Sequence, residues 1–133
     1  MDQLIAMLVS VHSFWRYIVM LAAVIGLVVA IGIWLGRLSL SPRLPGTIYI
    51  AALDAQVLIG ILLLIGGAGA ALPGALKFEH PTTMVLAAIV GHVGLVMARR
   101  SAEVKRSALV VTISIVVSLA LVLVGIMRVT QGR

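Results

Sequence analysis

Hydrophobic residues fill four long runs of this chain, and most charged residues fall between the runs. The runs cover residues 11–35, 47–69, 82–98 and 108–127. Each is close to the length of about 20 apolar residues that an α-helix needs to cross the hydrocarbon core of a bilayer. The pattern therefore predicts an all-α fold: an integral membrane four-helix bundle, formed as a single membrane domain by residues 1–133.

Composition supports the membrane interpretation and narrows the chemistry. The chain is 62% hydrophobic and 11% charged, whereas a soluble domain carries about 25% charged residues. We expect the first span to be retained, because Asp2 and a long apolar run do not fit a cleavable signal peptide. The chain has no cysteine, which excludes thiolate-ligated haem and iron–sulfur clusters.

Basic residues predict the orientation of the bundle. Cytoplasmic loops of membrane proteins are enriched in lysine and arginine. The loop after the first run and the loop after the third run are basic; they hold Arg37, Arg43, Arg99, Arg100, Lys105 and Arg106. We therefore expect both basic loops in the cytoplasm and both termini on the outer, periplasmic side. No nucleic acid partner is expected, since these loops are short and lack aromatic residues.

Two histidines are predicted to lie at the outer end of the bundle. His12 stands at the start of the first run and His80 just before the third. Pro81 suits the first turn of a helix, which predicts His80 at the mouth of the third span. Arg16 follows His12 by one helical turn, and Glu79 precedes His80. These four side chains could converge at the outer end.

A second polar group is predicted deeper in the membrane. His92 lies seven residues before Arg99, about 10 Å from the inner end of its helix. Asp54 lies eight residues after Gly46, about 12 Å from the same side. The matching depths predict a polar pair between Asp54 and His92. Gln56 is about 200° around the helix from Asp54 and should face another neighbour.

Each of these residues also has a purely structural interpretation. His12 could be an interfacial residue beside an aromatic belt, and His80 could be a cap before the third helix. For His92 the structural role would be a hydrogen bond to Asp54 and nothing more. Its functional alternatives are contact with a quinone, proton transfer, or ligation of haem. Ser118, like its neighbour Ser114, is expected to bond to its own helix backbone.

Small residues are spaced for close helix packing. Ala87 and Gly91 on the third span are four residues apart, as are Gly94 and Ala98. Such spacing lets helix backbones approach closely in lipid. These positions are predicted to pack the bundle, or to contact another chain or a flat cofactor.

Three segments resemble a family of small four-span bacterial membrane proteins that are often labelled cytochrome b-like. Residues 11–17, VHSFWRY, resemble its LHSxxRW motif, and residues 78–84, FEHPTTM, resemble its EHPxMM motif. Residues 53–60, LDAQVLIG, resemble its second span. The resemblance implies a bacterial inner-membrane protein, a link to haem b, and a functional set of His12, Arg16, Asp54, Gln56, Glu79 and His80. Only one of the two methionines of the motif is kept here, Met84, which disfavours a methionine ligand.

Three functions are consistent with the sequence. The first is a b-type haem-binding or redox-associated subunit in electron transfer, with cofactor-binding residues drawn from His12, Arg16, His80 and His92. The second is an accessory subunit of a larger respiratory or photosynthetic complex. The third is an outer-side zinc or copper site formed by His12, His80 and Glu79.

Candidate partners and activity follow from the same residues. Besides the lipid bilayer, the partners expected are other membrane subunits or a second copy of the chain, with quinone as a further candidate. No nucleophile–base pair is evident in the sequence, so an enzyme acting on its own is not expected.

Overall fold

The computed structural model describes residues 1–131, and over that range the chain is helical, with no strand. It forms helices α1 (Asp2–Trp34), α2 (Leu44–Ile65), α3 (Leu76–Arg100) and α4 (Val104–Gln131), with a 3₁₀ turn at Ala68–Ala71. All four α-helices are long and apolar enough to cross a membrane. The predicted all-α architecture of four helices is confirmed, and the chain is a multipass membrane protein. The side on which the termini lie stays a prediction.

Two helices begin earlier than the apolar runs predict. Helix α1 starts at Asp2, and α3 starts at Leu76. Pro81 is therefore inside α3 rather than in its first turn. The apolar pattern does not predict these starts, because a helix can extend beyond the hydrocarbon core. Outside the core polar residues are tolerated, so the helix continues without an apolar run.

The earlier starts change the depth of both histidines. His12 lies ten residues into α1, about 15 Å from the start of the helix, and His80 lies four residues into α3, about 6 Å from its start. His12 is therefore well inside α1, whereas His80 stays close to the start of α3. Both are built into helices, so each imidazole has a defined direction relative to its neighbours.

The helices form a ring in which α1 packs on α2, α2 on α3, α3 on α4, and α4 on α1. The interface between α3 and α4 is the most extensive, and α1 and α3 face each other across the diagonal. Large side chains from three helices fill the core, among them Val19, Tyr49, Leu53, Val111 and Ile115. The outward faces are apolar as well, as expected where lipid rather than water surrounds the bundle.

Two glycines of α3 allow its neighbours to approach closely. A Cβ atom at Gly94 would lie 2.1 Å from Cβ of Ser114 on α4. At Gly91, the Cβ would lie 2.0 Å from Cδ1 of Ile50 on α2. Real Cβ contacts are never this short, so a side chain at Gly94 would force the two backbones apart, whereas at Gly91 the flexible end of Ile50 could move away. The predicted small-residue spacing thus serves packing within the bundle.

A chain of buried hydrogen bonds links three helices in the core. The hydroxyl of Ser118 donates to the carbonyl oxygen of Ala87, 2.8 Å away. Because serine has one hydroxyl proton, the Tyr49 hydroxyl, also at 2.8 Å, must donate to Ser118. The expected bond from Ser118 to its own helix is therefore wrong; this serine bonds to α3 and receives a bond from α2.

The connection between α3 and α4 is the shortest in the protein's described part. Three residues, 101–103, separate the two helices. The hydroxyl of Ser107 reaches back and donates to the carbonyl oxygen of Ala98, 2.9 Å away. The same carbonyl, in the last turn of α3, also accepts a hydrogen bond from the backbone N–H of Ser101 at 3.3 Å. The two helices form a tight hairpin.

Candidate functional site

A cavity of about 500 Å³ lies at the end of the bundle where α1 and α3 begin. All four helices and the 3₁₀ turn contribute to its wall. Most of the wall is apolar, and its polar side chains include His12, Arg16, Gln56 and His80. We call this space the histidine cavity. Its size is typical of small-molecule and cofactor sites, which range over about 300–1,000 Å³.

The structure brings His12 and His80 together across the cavity. Their ring centres are 6.3 Å apart, and the ring planes are nearly perpendicular, at 87°. Both residues are half-buried. The two histidines come from α1 and α3, which face each other across the bundle. Their approach therefore depends on the packing of the whole bundle.

His80 has one ring nitrogen fixed by the fold. Its Nδ1 lies 3.2 Å from the carbonyl oxygen of Gly125 on α4. Since a carbonyl oxygen can only accept, Nδ1 carries the proton and donates, which leaves Nε2 with a free lone pair. A Cβ at Gly125 would lie 3.6 Å from Nδ1 and 3.4 Å from Sδ of Met84. These are ordinary contact distances, and the tighter contact of such a Cβ would be with Oγ1 of Thr83, at 3.1 Å.

His12 is held by Gln56, the residue predicted to face away from Asp54. The side-chain nitrogen of Gln56 donates to the backbone oxygen of His12 at 3.0 Å and lies 3.3 Å from Nε2 of the same residue. An amide nitrogen only donates, so Nε2 accepts and Nδ1 carries the proton. A Cβ at Gly60 would lie 3.1 Å from Cε1 of His12. Helix α2 thus holds His12 through hydrogen bonds from Gln56, and its Gly60 leaves room for the imidazole ring.

Two buried polar atoms at this place have no hydrogen-bond partner among residues 1–131. They are Nδ1 of His12 and the side-chain oxygen of Gln56. An unpaired buried donor or acceptor costs about 1–3 kcal/mol. Both residues line the histidine cavity, so a small rotation of either side chain would offer a ligand one donor or one acceptor.

Arg16 adds positive charge to the cavity wall. Its guanidinium donates to the Tyr17 hydroxyl at 2.9 Å, and its carbon Cζ lies 4.9 Å from the centre of the Tyr17 ring. The salt bridges formed within residues 1–131 do not involve Arg16. The charge is thus positioned by an aromatic neighbour and stays free to attract an anionic group.

Glu79 does not join the two histidines. One of its carboxylate oxygens accepts hydrogen bonds from Nε and Nη2 of Arg128, at 3.0 and 2.8 Å. This ion pair ties α3 to α4 at the cavity end. Within the described part of the chain, no group of three or more metal-ligating residues is found. The predicted zinc or copper site of His12, His80 and Glu79 is therefore not assembled in this structure.

Asp54 and His92 form a separate polar pair on the outside of the bundle. The Nε2 atom of His92 lies 2.9 and 3.0 Å from the two carboxylate oxygens of Asp54. The side chain of Asp54 is 45% exposed and that of His92 is 53% exposed. The pair joins α2 to α3 as their depths predicted, but His92 does not line the histidine cavity. Of the residues predicted to bind a cofactor, the structure gathers His12, Arg16 and His80.

Three contributors to the site lay outside the predicted set of binding residues. Gln56 belonged to the functional set implied by the resemblance, and its angular offset from Asp54 indicated that it faces another helix, but it was not predicted to bind a cofactor. Gly60 and Gly125 gave no such signal in the sequence, because they are simply glycines within apolar runs. Comparison with known family models, curated proteins and solved structures finds no match to this chain.

Proposed function

We propose that this protein is a small membrane redox subunit that binds haem b in the histidine cavity and takes part in electron transfer. His12 and His80 would be the iron ligands. The observation that carries the proposal is the convergence of these two histidines, from opposite helices, on one cavity of about 500 Å³.

The donor atoms fit this cofactor. His80 presents an unprotonated Nε2, and its other nitrogen is anchored to a backbone carbonyl, the arrangement typical of metal-ligating histidines. The protonated Nδ1 of His12 cannot bind iron, so this residue would ligate through Nε2, exchanging its contact with the Gln56 amide for the metal. Arg16 would attract the propionates. When bound, haem supplies a one-electron iron couple.

The distance between the two rings is compatible with a shared metal ion. A ring centre lies about 3 Å from a metal bound by one of its nitrogens, given metal–nitrogen bonds of about 2 Å. Two imidazoles that held the same ion would therefore have ring centres up to about 6 Å apart, close to the present separation of 6.3 Å.

The chain's own residues would hold the cofactor and exclude water. Met84, Leu63 and Val122 line the cavity and are almost fully buried. Apolar burial lowers the local dielectric, and together with the axial ligands it is one of the protein's means of setting a haem potential. The Glu79–Arg128 ion pair would keep the ends of α3 and α4 together beside the site.

Optical spectroscopy tests this proposal. The protein purified in detergent is expected to give Soret and alpha bands in a reduced-minus-oxidised spectrum. His12→Ala and His80→Ala should abolish the bands, because each removes one ligand. His92→Ala is the matched control and should keep them, since His92 lies outside the cavity. A spectrum without these bands in the wild-type protein would contradict haem binding.

Gly60→Val gives a second readout of the same site. Its side chain would push against the His12 ring, whose Cε1 atom is already 3.1 Å from where the first added carbon would lie. We expect haem affinity to fall about tenfold, which corresponds to about 1.4 kcal/mol. Titration of the apoprotein with haem measures this change. Gly32→Ala is the control, because it meets only the flexible side chain of Leu38 away from the cavity; equal loss in both variants would argue against His12.

A second candidate function is supported by the same pair of unpaired atoms. A quinone carbonyl oxygen could accept a hydrogen bond from Nδ1 of His12 once a small rotation of the ring turns this atom toward the cavity. Organic extraction of the purified protein would then release a stoichiometric quinone. His12→Ala should lose it, whereas His92→Ala should retain it. A quinone-free extract from a haem-free protein would sink this alternative.

A further inference from the structure

The polar pair of Asp54 and His92 lies where a lipid-facing charge is unfavourable. Asp54 is ten residues from the start of α2 and eleven from its end, close to the middle of a 22-residue helix. The distance to either end is about 15 Å, too far for an aspartate side chain to reach the interface. His92 on α3 is eight residues, about 12 Å, from the end of its helix.

Half-exposed ionisable groups at this depth point to a protein neighbour rather than lipid. Insertion of an aspartate at the centre of a membrane helix costs about 2.5–3.5 kcal/mol, and such residues almost always face protein or a water-filled cavity. The hydrogen bond between the two side chains reduces that cost only in part, because nearly half of each side chain stays exposed. We therefore expect a protein surface from outside this four-helix bundle to cover this face.

The unused hydrogen-bonding atoms of the pair are complementary to one another. His92 binds Asp54 through Nε2 alone, which leaves Nδ1 as a further donor when the ring is protonated on both nitrogens. Each carboxylate oxygen of Asp54 has a second lone pair. A twofold axis beside the pair would set Nδ1 of each copy against the Asp54 carboxylate of the other. The patch is thus self-complementary, as a symmetric dimer interface requires.

The side chains around the pair permit close approach. Ala51 and Ala55 flank Asp54 on α2 with small-residue spacing, and Ala88 stands one turn before His92 on α3. All three are at least partly exposed. Small residues beside a polar group let a second pair of helices come within hydrogen-bond range.

We propose that a second copy of this chain docks on the face formed by Ala51, Asp54, Ala55, Ala88 and His92. Two Asp54–His92 pairs, related by a twofold axis, join into one hydrogen-bonded network at the centre of the dimer. The exposed side of each pair is then covered by protein instead of lipid. This inference stands apart from the histidine cavity, which belongs to a different surface of the bundle.

The oligomeric state of the full chain tests the dimer. Sedimentation in detergent is expected to show a dimer for the wild-type protein. Asp54→Ala and His92→Ala should each weaken association about tenfold or more, about 1.4 kcal/mol. The exchange variant Asp54→His with His92→Asp keeps the network and should restore the dimer. A monomeric wild-type protein, or a dimer unaffected by either alanine, would overturn the proposal.

Disulfide cross-linking in membranes tests the same face in chains that keep both polar residues. The chain has no cysteine, so single replacements report on one position each. Ala51→Cys should cross-link to a second copy under mild oxidation. Leu21→Cys is the control, since Leu21 is 60% exposed on α1. Equal cross-linking at both positions, or a different membrane protein bound stoichiometrically at this face, would refute the homodimer.

Discussion

Gly94→Ala is expected to destabilise the bundle more than any other glycine-to-alanine change on α3. The new Cβ would lie 2.1 Å from Cβ of Ser114 and 2.4 Å from its hydroxyl oxygen. A Cβ atom is fixed to the backbone, so the clash can be relieved only by moving α3 away from α4. Overpacking of this kind costs about 1–3 kcal/mol. The midpoint of thermal unfolding in detergent measures the effect.

Two further variants identify the cause. Gly91→Ala creates an equally short contact, 2.0 Å, but with Cδ1 of Ile50, the far end of a flexible side chain. Rotation of that side chain should make this change milder. Combining Gly94→Ala with Ser114→Gly removes the colliding atom and should recover most of the lost stability. If the double variant were no more stable than Gly94→Ala alone, the clash between α3 and α4 would not be the reason.

Ser118→Ala is expected to produce the next largest loss, through the buried hydrogen bonds of the core. The change leaves the Tyr49 hydroxyl without its acceptor in a fully buried position. A stranded buried donor costs about 1–3 kcal/mol. The same unfolding measurement applies, and the helix content by circular dichroism should be unchanged.

Tyr49→Phe supplies the matched comparison. It removes the donor and leaves the bond from Ser118 to the Ala87 carbonyl intact. Combined with Ser118→Ala, it should cost less than the sum of the two single changes, because neither partner is then stranded. Strict additivity in this double-mutant cycle would show that the two hydroxyls do not depend on each other.

Contacts that depend on depth along a helix were accessible from the sequence. Four helices and the meeting of Asp54 with His92 could be predicted because rise per residue converts sequence position into depth. Adjacent antiparallel helices then bring equal depths together. The approach of His12 and His80 also followed from their position at one end of the bundle.

Apart from the angular offset of Gln56, contacts that depend on rotation about a helix axis were not accessible from the sequence. Core-facing and lipid-facing positions are both apolar here, so hydrophobic periodicity does not reveal which way Ser118 or Tyr49 points. The pairing of Glu79 with Arg128 depends on the same rotation, and it removed Glu79 from the predicted metal site. The helix starts at Asp2 and Leu76 escaped because they lie outside the apolar runs.

The short connection between α3 and α4 has a consequence for the biogenesis of this protein. Closing a loop of three residues costs little chain entropy compared with the longer connections elsewhere. The most extensive interface in the bundle is therefore also its most local one, and local contacts form fastest. We expect α3 and α4 to enter the membrane as a preassembled hairpin. The wall of the histidine cavity would then be completed last, when α1 and α2 dock against it.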